Sequence, residues 1–78
     1  MIFLIEYDRN RGEIVTLKEF KDSEQQMADD SRLELELRLN RFGTTHEVVI
    51  LEANSQDALR LTHRRYFESL SELVNSPV

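Results

Sequence analysis

A basic stretch near the end of the chain carries the residue types best suited to binding or acid–base chemistry. Residues 60–67 read Arg-Leu-Thr-His-Arg-Arg-Tyr-Phe, in a chain whose formal net charge is −5. On a continuous helix, Arg60 and Arg64 stand one turn apart and point the same way. Two guanidinium groups beside an aromatic ring can hold a carboxylate, a phosphate or an acidic peptide by paired hydrogen bonds.

The helical periodicity places His63 and Tyr66 close to Leu59, on the apolar side of the same predicted helix. His63 could titrate or donate a proton there. The candidate ligand- or partner-binding residues are therefore Arg60, His63, Arg64 and Tyr66. The alternative is structural: the arginines pair with acidic residues of the protein itself or of a second subunit, while His63 and Tyr66 serve packing.

Several kinds of chemistry are excluded by composition. The chain has two glycines, Gly12 and Gly43, and turns require both, so no phosphate-binding loop can be assembled. It has no cysteine, which removes disulfides and thiolate metal sites. We expect His46 and His63 to lie about 10 Å apart in height, too far for a shared metal ion. No catalytic residue, metal or cofactor is predicted.

The overall charge and hydropathy narrow the class of partner. The isoelectric point is near 4.9, which disfavours general binding to nucleic acid or to anionic lipid. The apolar start of the chain ends at Glu6, too short to span a bilayer. We expect a soluble, cytoplasmic protein, and the length of 78 residues predicts one domain over residues 1–78.

The order of elements is predicted to be ββαβα. Two β-rich runs, residues 2–7 and 13–20, flank a turn that ends in Gly12, which predicts a hairpin. A cap at residues 22–24 begins a helix that ends at Gly43, and an apolar strand follows at 47–51. Asn54 and Ser55 cap a second helix that runs to about Val74, and residues 75–78 form a frayed tail.

The first helix contains a pattern that also suits a strand. Leu33, Leu35, Leu37 and Leu39 alternate with charged residues at a period of two, as in a half-buried strand. The run of residues 32–39 has no β-branched or aromatic residue, however, and it places opposite charges four residues apart, which favours helix. In a helix, Leu33 and Leu37 lie opposite the stripe formed by Leu35 and Leu39, so a second apolar stripe needs a partner.

The fold predicted from these elements is a small α+β domain with a three-stranded antiparallel or mixed sheet. The first strand is apolar on both faces and the second carries charges that suit an edge, so we predict the strand order 2-1-3. Both helices are expected to pack on one face of this sheet. The opposite face would then expose apolar residues that a monomer rarely leaves uncovered.

The sequence thus predicts a non-catalytic binding or interaction module, most simply a homodimer whose interface includes Leu33 and Leu37. Small proteins without disulfides often gain stability by self-association. The partner would be a second copy or another protein; nucleic acid and membranes are disfavoured. The alternative function is a dimeric protein that binds a small anionic ligand, or a minor enzyme, through Arg60, His63, Arg64 and Tyr66.

Overall fold

Three strands, two α-helices and two 3₁₀ turns form the part of the chain that the computed structural model describes, residues 1–67. The strands are β1 (Ile2–Asp8), β2 (Glu13–Phe20) and β3 (Glu47–Glu52), and the helices are α1 (Gln25–Arg41) and α2 (Gln56–Thr62), with 3₁₀ turns at Asp22–Glu24 and Arg64–Tyr66. No helix in this range is long and apolar enough to cross a membrane. The frayed tail predicted at residues 75–78 lies outside the described residues.

The sheet has the strand order β2-β1-β3, and β1 pairs antiparallel with both neighbours. The α+β class and the 2-1-3 order are therefore confirmed. The hairpin turn is held by the Asp8 carboxylate, which accepts the backbone N–H groups of Asn10 and Arg11 at 3.0 and 3.2 Å. Gly12 closes the turn at a φ of +66°, which glycine adopts without steric cost.

Both helices pack on the sheet, but each covers a different face. Leu59 of α2 joins the core cluster of Phe3, Ile5 and Tyr7. On the opposite face, Leu35 of α1 lies over Leu4 and Glu6. Because β1 is apolar on both faces, one layer could not bury it, and the expectation that the helices share a face is corrected.

Helix α1 resolves the conflict between helix and strand in favour of helix. Its side facing the sheet carries buried Ala28 and half-buried Leu35 and Leu39, spaced by seven and four residues as on one face of an amphipathic helix. The capping bond belongs to the 3₁₀ turn that precedes α1: the Glu24 carboxylate accepts the backbone N–H of Lys21 at 2.8 Å. At the other end, Thr44 N–H donates to the Leu39 carbonyl at 2.9 Å.

Helix α2 is shorter than predicted. The Ser55 hydroxyl caps it by accepting the Ala58 N–H at 3.1 Å, as expected. The helix ends at Thr62, however, and His63 has a non-helical backbone with φ −127° and ψ 51°. The Thr62 hydroxyl donates to the Ala58 carbonyl at 3.1 Å, a competing contact that weakens a helix. The predicted end of this helix near Val74 lies outside the described residues. The prediction that the helix continues through His63 was wrong.

Gly43 provides the first testable prediction. It ends α1 with a φ of +66°, and an added Cβ would meet no atom within 4 Å. Gly43→Ala should therefore lower the free energy of unfolding by about 1 kcal/mol through backbone strain alone, measured by urea denaturation. Gly43→Asn is the matched variant and should lose less, because asparagine tolerates the left-handed region. Equal stability of the alanine variant and the parent would contradict this account.

Candidate functional site

The four residues singled out in the basic stretch do not converge on one ligand site. The Arg60 guanidinium stacks over the Phe67 ring, 4.7 Å from its centroid, while Tyr66 is buried in the core. The Nδ1 atom of His63 lies 2.9 Å from the Thr62 hydroxyl. Arg64 begins a 3₁₀ turn instead of following Arg60 by one helical turn. The break at His63 thus removes the continuous helix from which the pairing of Arg60 and Arg64 was predicted.

Glu47, which the sequence analysis did not identify, binds the charged and polar groups of this region instead. Its Oε1 accepts two bonds from Arg9, at 3.1 Å from Nε and 2.6 Å from Nη2. Its Oε2 accepts from Arg65 at 2.9 Å and from the Tyr66 hydroxyl. The carboxylate therefore joins the hairpin turn, the start of β3 and the last 3₁₀ turn. Both oxygens are occupied, so this cluster supports structure rather than a ligand.

The electrostatics of the cluster follow from these bonds. Hydrogen bonds from Tyr66 and Arg9 lower the pKa of Glu47 below its ordinary 4.5, against the opposing effect of burial. Burial, reinforced by the bond to Glu47, raises the pKa of Tyr66 above its ordinary 10.0. The same carboxylate raises the pKa of the exposed Arg9. At neutral pH, the cluster is a carboxylate held by two cations and a neutral phenol.

A second polar group lies within the α1 face of the sheet. Glu6 is 5% exposed, and its carboxylate accepts the Thr16 hydroxyl at 2.8 Å. Its other oxygen lies 2.6 Å from Nδ1 of His46. The second ring nitrogen of His46 lies 3.5 Å from Asp8. This network ties β1 to β2 and to the residue that precedes β3, and its bonds are made within the protein.

The outer edge of β3 carries backbone hydrogen-bonding groups that residues 1–67 leave without a backbone partner. Met1 and Ala53 exchange two backbone hydrogen bonds, at 2.9 and 3.1 Å. Hydrogen-bonded and non-hydrogen-bonded pairs alternate along an antiparallel ladder, so Leu51, Val49 and Glu47 also direct their backbone groups to β1. The N–H and C=O groups of Val48, Ile50 and Glu52 therefore point outward, and no backbone bond to them is formed by residues 1–67.

The two edges of the sheet differ in how they are protected. Strand β2 carries exposed charged side chains at Glu13, Lys18 and Glu19, and its register with β1 shifts between Glu6 and Tyr7. Charges and bulges are the usual means of blocking a sheet edge. Strand β3 has the apolar run 48–51 and an unbroken register. Within residues 1–67, β3 is therefore the less protected edge.

A groove of about 450 Å³ runs beside this edge, between α1 and β3. We call it the β3 groove; its lining includes Leu33, Leu37, Leu39, Asn40, His46 and Val48. Leu33 and Leu37 are 56% and 60% exposed, so the second stripe of α1 is present as predicted. The exposed sheet face that the sequence also suggested is absent, because α1 and α2 cover both faces. The β3 groove and its edge therefore form the candidate site.

Glu47 provides the second testable prediction. A carboxyl group whose pKa is lowered by folding stabilises the protein above its ordinary pKa and loses this effect as the pH falls through the folded value. Glu47→Gln should therefore cost about 2 kcal/mol at neutral pH, and the difference from the parent should shrink as the pH falls below 4.5. Denaturation across pH measures both. Glu19→Gln on β2 is the control variant. An equal loss of stability in that variant would contradict the structural role assigned to Glu47.

Metal binding has no support in the described part of the chain, since within residues 1–67 no three potential metal ligands gather closely enough to hold an ion. His46 faces Glu6 and Asp8, and His63 lies beside Thr62. The chain matches no known protein family, no curated protein and no solved structure. The geometry of the β3 edge and groove is therefore what bears on function.

Proposed function

We propose that this protein is a polypeptide-binding module that receives an extended segment at the β3 edge. One observation carries the proposal: the outward N–H and C=O groups of Val48, Ile50 and Glu52 lie on a strand whose register is unbroken and whose run 48–51 contains no charged residue. Val48 also lines the β3 groove. A segment that pairs with these backbone groups continues the antiparallel ladder. Addition of a strand to an open edge is a recurrent mode of peptide recognition.

The chemistry of the edge favours a polypeptide over a small molecule. Its outward donors and acceptors recur at every second residue, roughly 6.8 Å apart, which is the repeat of an extended backbone. Val48 and Ile50 border this ladder on the α1 side, and Val49 on the α2 side. A partner with apolar side chains at alternate positions satisfies the backbone groups and covers these residues together.

Leu33 and Leu37 enlarge the surface beyond one strand. They lie on α1 at the margin of the β3 groove and are more than half exposed. A partner that brings further structure beside its bound strand would cover them, and each leucine buried contributes roughly 1 kcal/mol or more. The proposed role requires no catalysis. We also propose the cytosol as its compartment, because a chain without cysteine suits a reducing environment.

Peptide binding at β3 is the third testable prediction. An acetylated, amidated peptide of sequence Lys-Val-Thr-Val-Thr-Val-Lys is titrated, in large excess, into isotopically labelled protein. Amide resonances of Val48, Ile50 and Glu52 should shift most, and their hydrogen exchange should slow, because their N–H groups gain partners. The outward amides of β2 should stay unchanged, and perturbation spread evenly over both edges would contradict the proposal.

Proline substitution separates binding from folding. Ile50→Pro removes an outward N–H without removing a bond to β1, so the protein should fold while peptide binding weakens at least about tenfold. Glu19→Pro is the matched control, because its N–H points outward from β2 and its side chain is exposed. This variant should bind like the parent. Undiminished binding by a folded Ile50→Pro variant would exclude the β3 edge.

A further inference from the structure

We infer that the segment bound at the β3 edge is β3 of a second copy of this chain. The two strands pair antiparallel about a twofold axis through Val49, and the two sheets become one sheet of six strands. This inference rests on the proposed function, since it names the occupant of the same edge. It adds a stoichiometry, a register and a helix contact that a peptide complex does not require.

The hydrogen-bond phase of β3 limits the possible registers. Outward-facing residues pair only with outward-facing residues, so Val48, Ile50 and Glu52 of one copy meet the same set in the other. A register with Glu47 opposite Glu52 is thereby excluded, which avoids two facing carboxylates. Three registers remain near the centre, with the twofold axis at Val48, Val49 or Ile50.

Side-chain pairing selects the central register. With the axis at Val49, Val48 lies opposite Ile50 of the second copy and Val49 lies opposite itself. An axis at Ile50 instead places Val48 opposite the exposed Glu52, and an axis at Val48 places Ile50 opposite His46. Apolar cross-strand pairs stabilise a sheet, whereas an apolar residue opposite a charged one gains less. The central register pairs Val48, Val49 and Ile50 only with one another. It also sets Leu51 opposite Glu47, but that carboxylate is already bound by Arg9 and Arg65 of its own chain, and the exposed Glu52 then faces His46 rather than Val48.

The position of α1 fits a second copy in this register. Helix α1 contacts β1 and β3 more than β2, so its axis lies over β1 and β3. The twofold axis places the second α1 antiparallel to it, about two strand spacings or ~9.6 Å away. Packed helices are separated by about 8–10 Å. The added strand thus brings a helix to the distance at which it packs against α1.

Charges on the flank of α1 complement one another across the same axis. Glu36 lines the β3 groove, and Arg32 lies one turn before it, 3.9 Å away. Leu35, beside their midpoint, lies over Leu4 and Glu6, which pair with Ile50 and Val48. The twofold axis through Val49 therefore passes near the midpoint between Arg32 and Glu36. In an antiparallel arrangement, Arg32 of each copy faces Glu36 of the other.

Single-cysteine variants test the register, since the natural chain has no cysteine. In the proposed dimer, the two Val49 Cα atoms form a non-hydrogen-bonded pair about 4.5 Å apart, within disulfide range. Those of Val48, or of Ile50, are about 8 Å apart and out of range. Mild oxidation should therefore link Val49→Cys into a covalent dimer at least about tenfold more efficiently than Val48→Cys or Ile50→Cys. Val15→Cys, exposed on β2, controls for random collision.

Native mass spectrometry of the unmodified chain gives an independent result and should show a dimer. Preferential linkage through Val48→Cys, Ile50→Cys or Val15→Cys would overturn the register. A monomer at high concentration, with no linkage through Val49→Cys, would overturn the inference altogether. If that monomer still binds the peptide at β3, the proposed function survives and the occupant is another protein. If it does not, both fail.

Discussion

Burial of β1 on both faces is the constraint on which the rest of the structure depends. Residues 2–7 are all buried, and the strand is paired on both sides. A strand apolar on both faces requires a layer above and below it, and residues 1–67 provide one helix for each. The outer strands and both helices are thus committed to β1. Within residues 1–67, no segment pairs with the outer edge of β3.

Polar side chains then hold the layers in one arrangement. Glu6 lies among the buried residues of β1 and contacts Thr16 on β2 and His46 before β3. A buried carboxylate without partners would be costly, so the pairing that satisfies Glu6 opposes sliding of either neighbour. Glu47 acts similarly at the end of the sheet, where Arg9 and Arg65 meet on one carboxylate. Both networks are satisfied by residues 1–67, and neither uses the outward backbone groups of β3.

Local patterns sufficed for the strand order and for α1, because charges on β2 and the propensities of residues 32–39 act over short distances. They failed at His63, where the backbone leaves the helical conformation beside a Thr62 hydroxyl that bonds to the Ala58 carbonyl. They also missed Glu47, whose contacts join residues 38 and 18 positions apart in sequence. The prediction that both helices pack on one face failed, because the apolar pattern of β1 was used only to place that strand in the centre of the sheet. Leu33 and Leu37 were identified because an amphipathic helix needs a single apolar stripe.

The asymmetry between the two edges connects the fold to its proposed use. A protein selected only to remain a monomer could place a charged residue within the run 48–51, as β2 does with Lys18, because edge strands tolerate such substitutions. Instead the apolar run is continuous, and the outward backbone groups lie beside the flank of α1. A second β3 would form hydrogen bonds with the outward backbone groups, and the α1 helix of that copy would pack against the flank of the first α1. The edge left open by the burial of β1 is thus the edge that a second copy can complete.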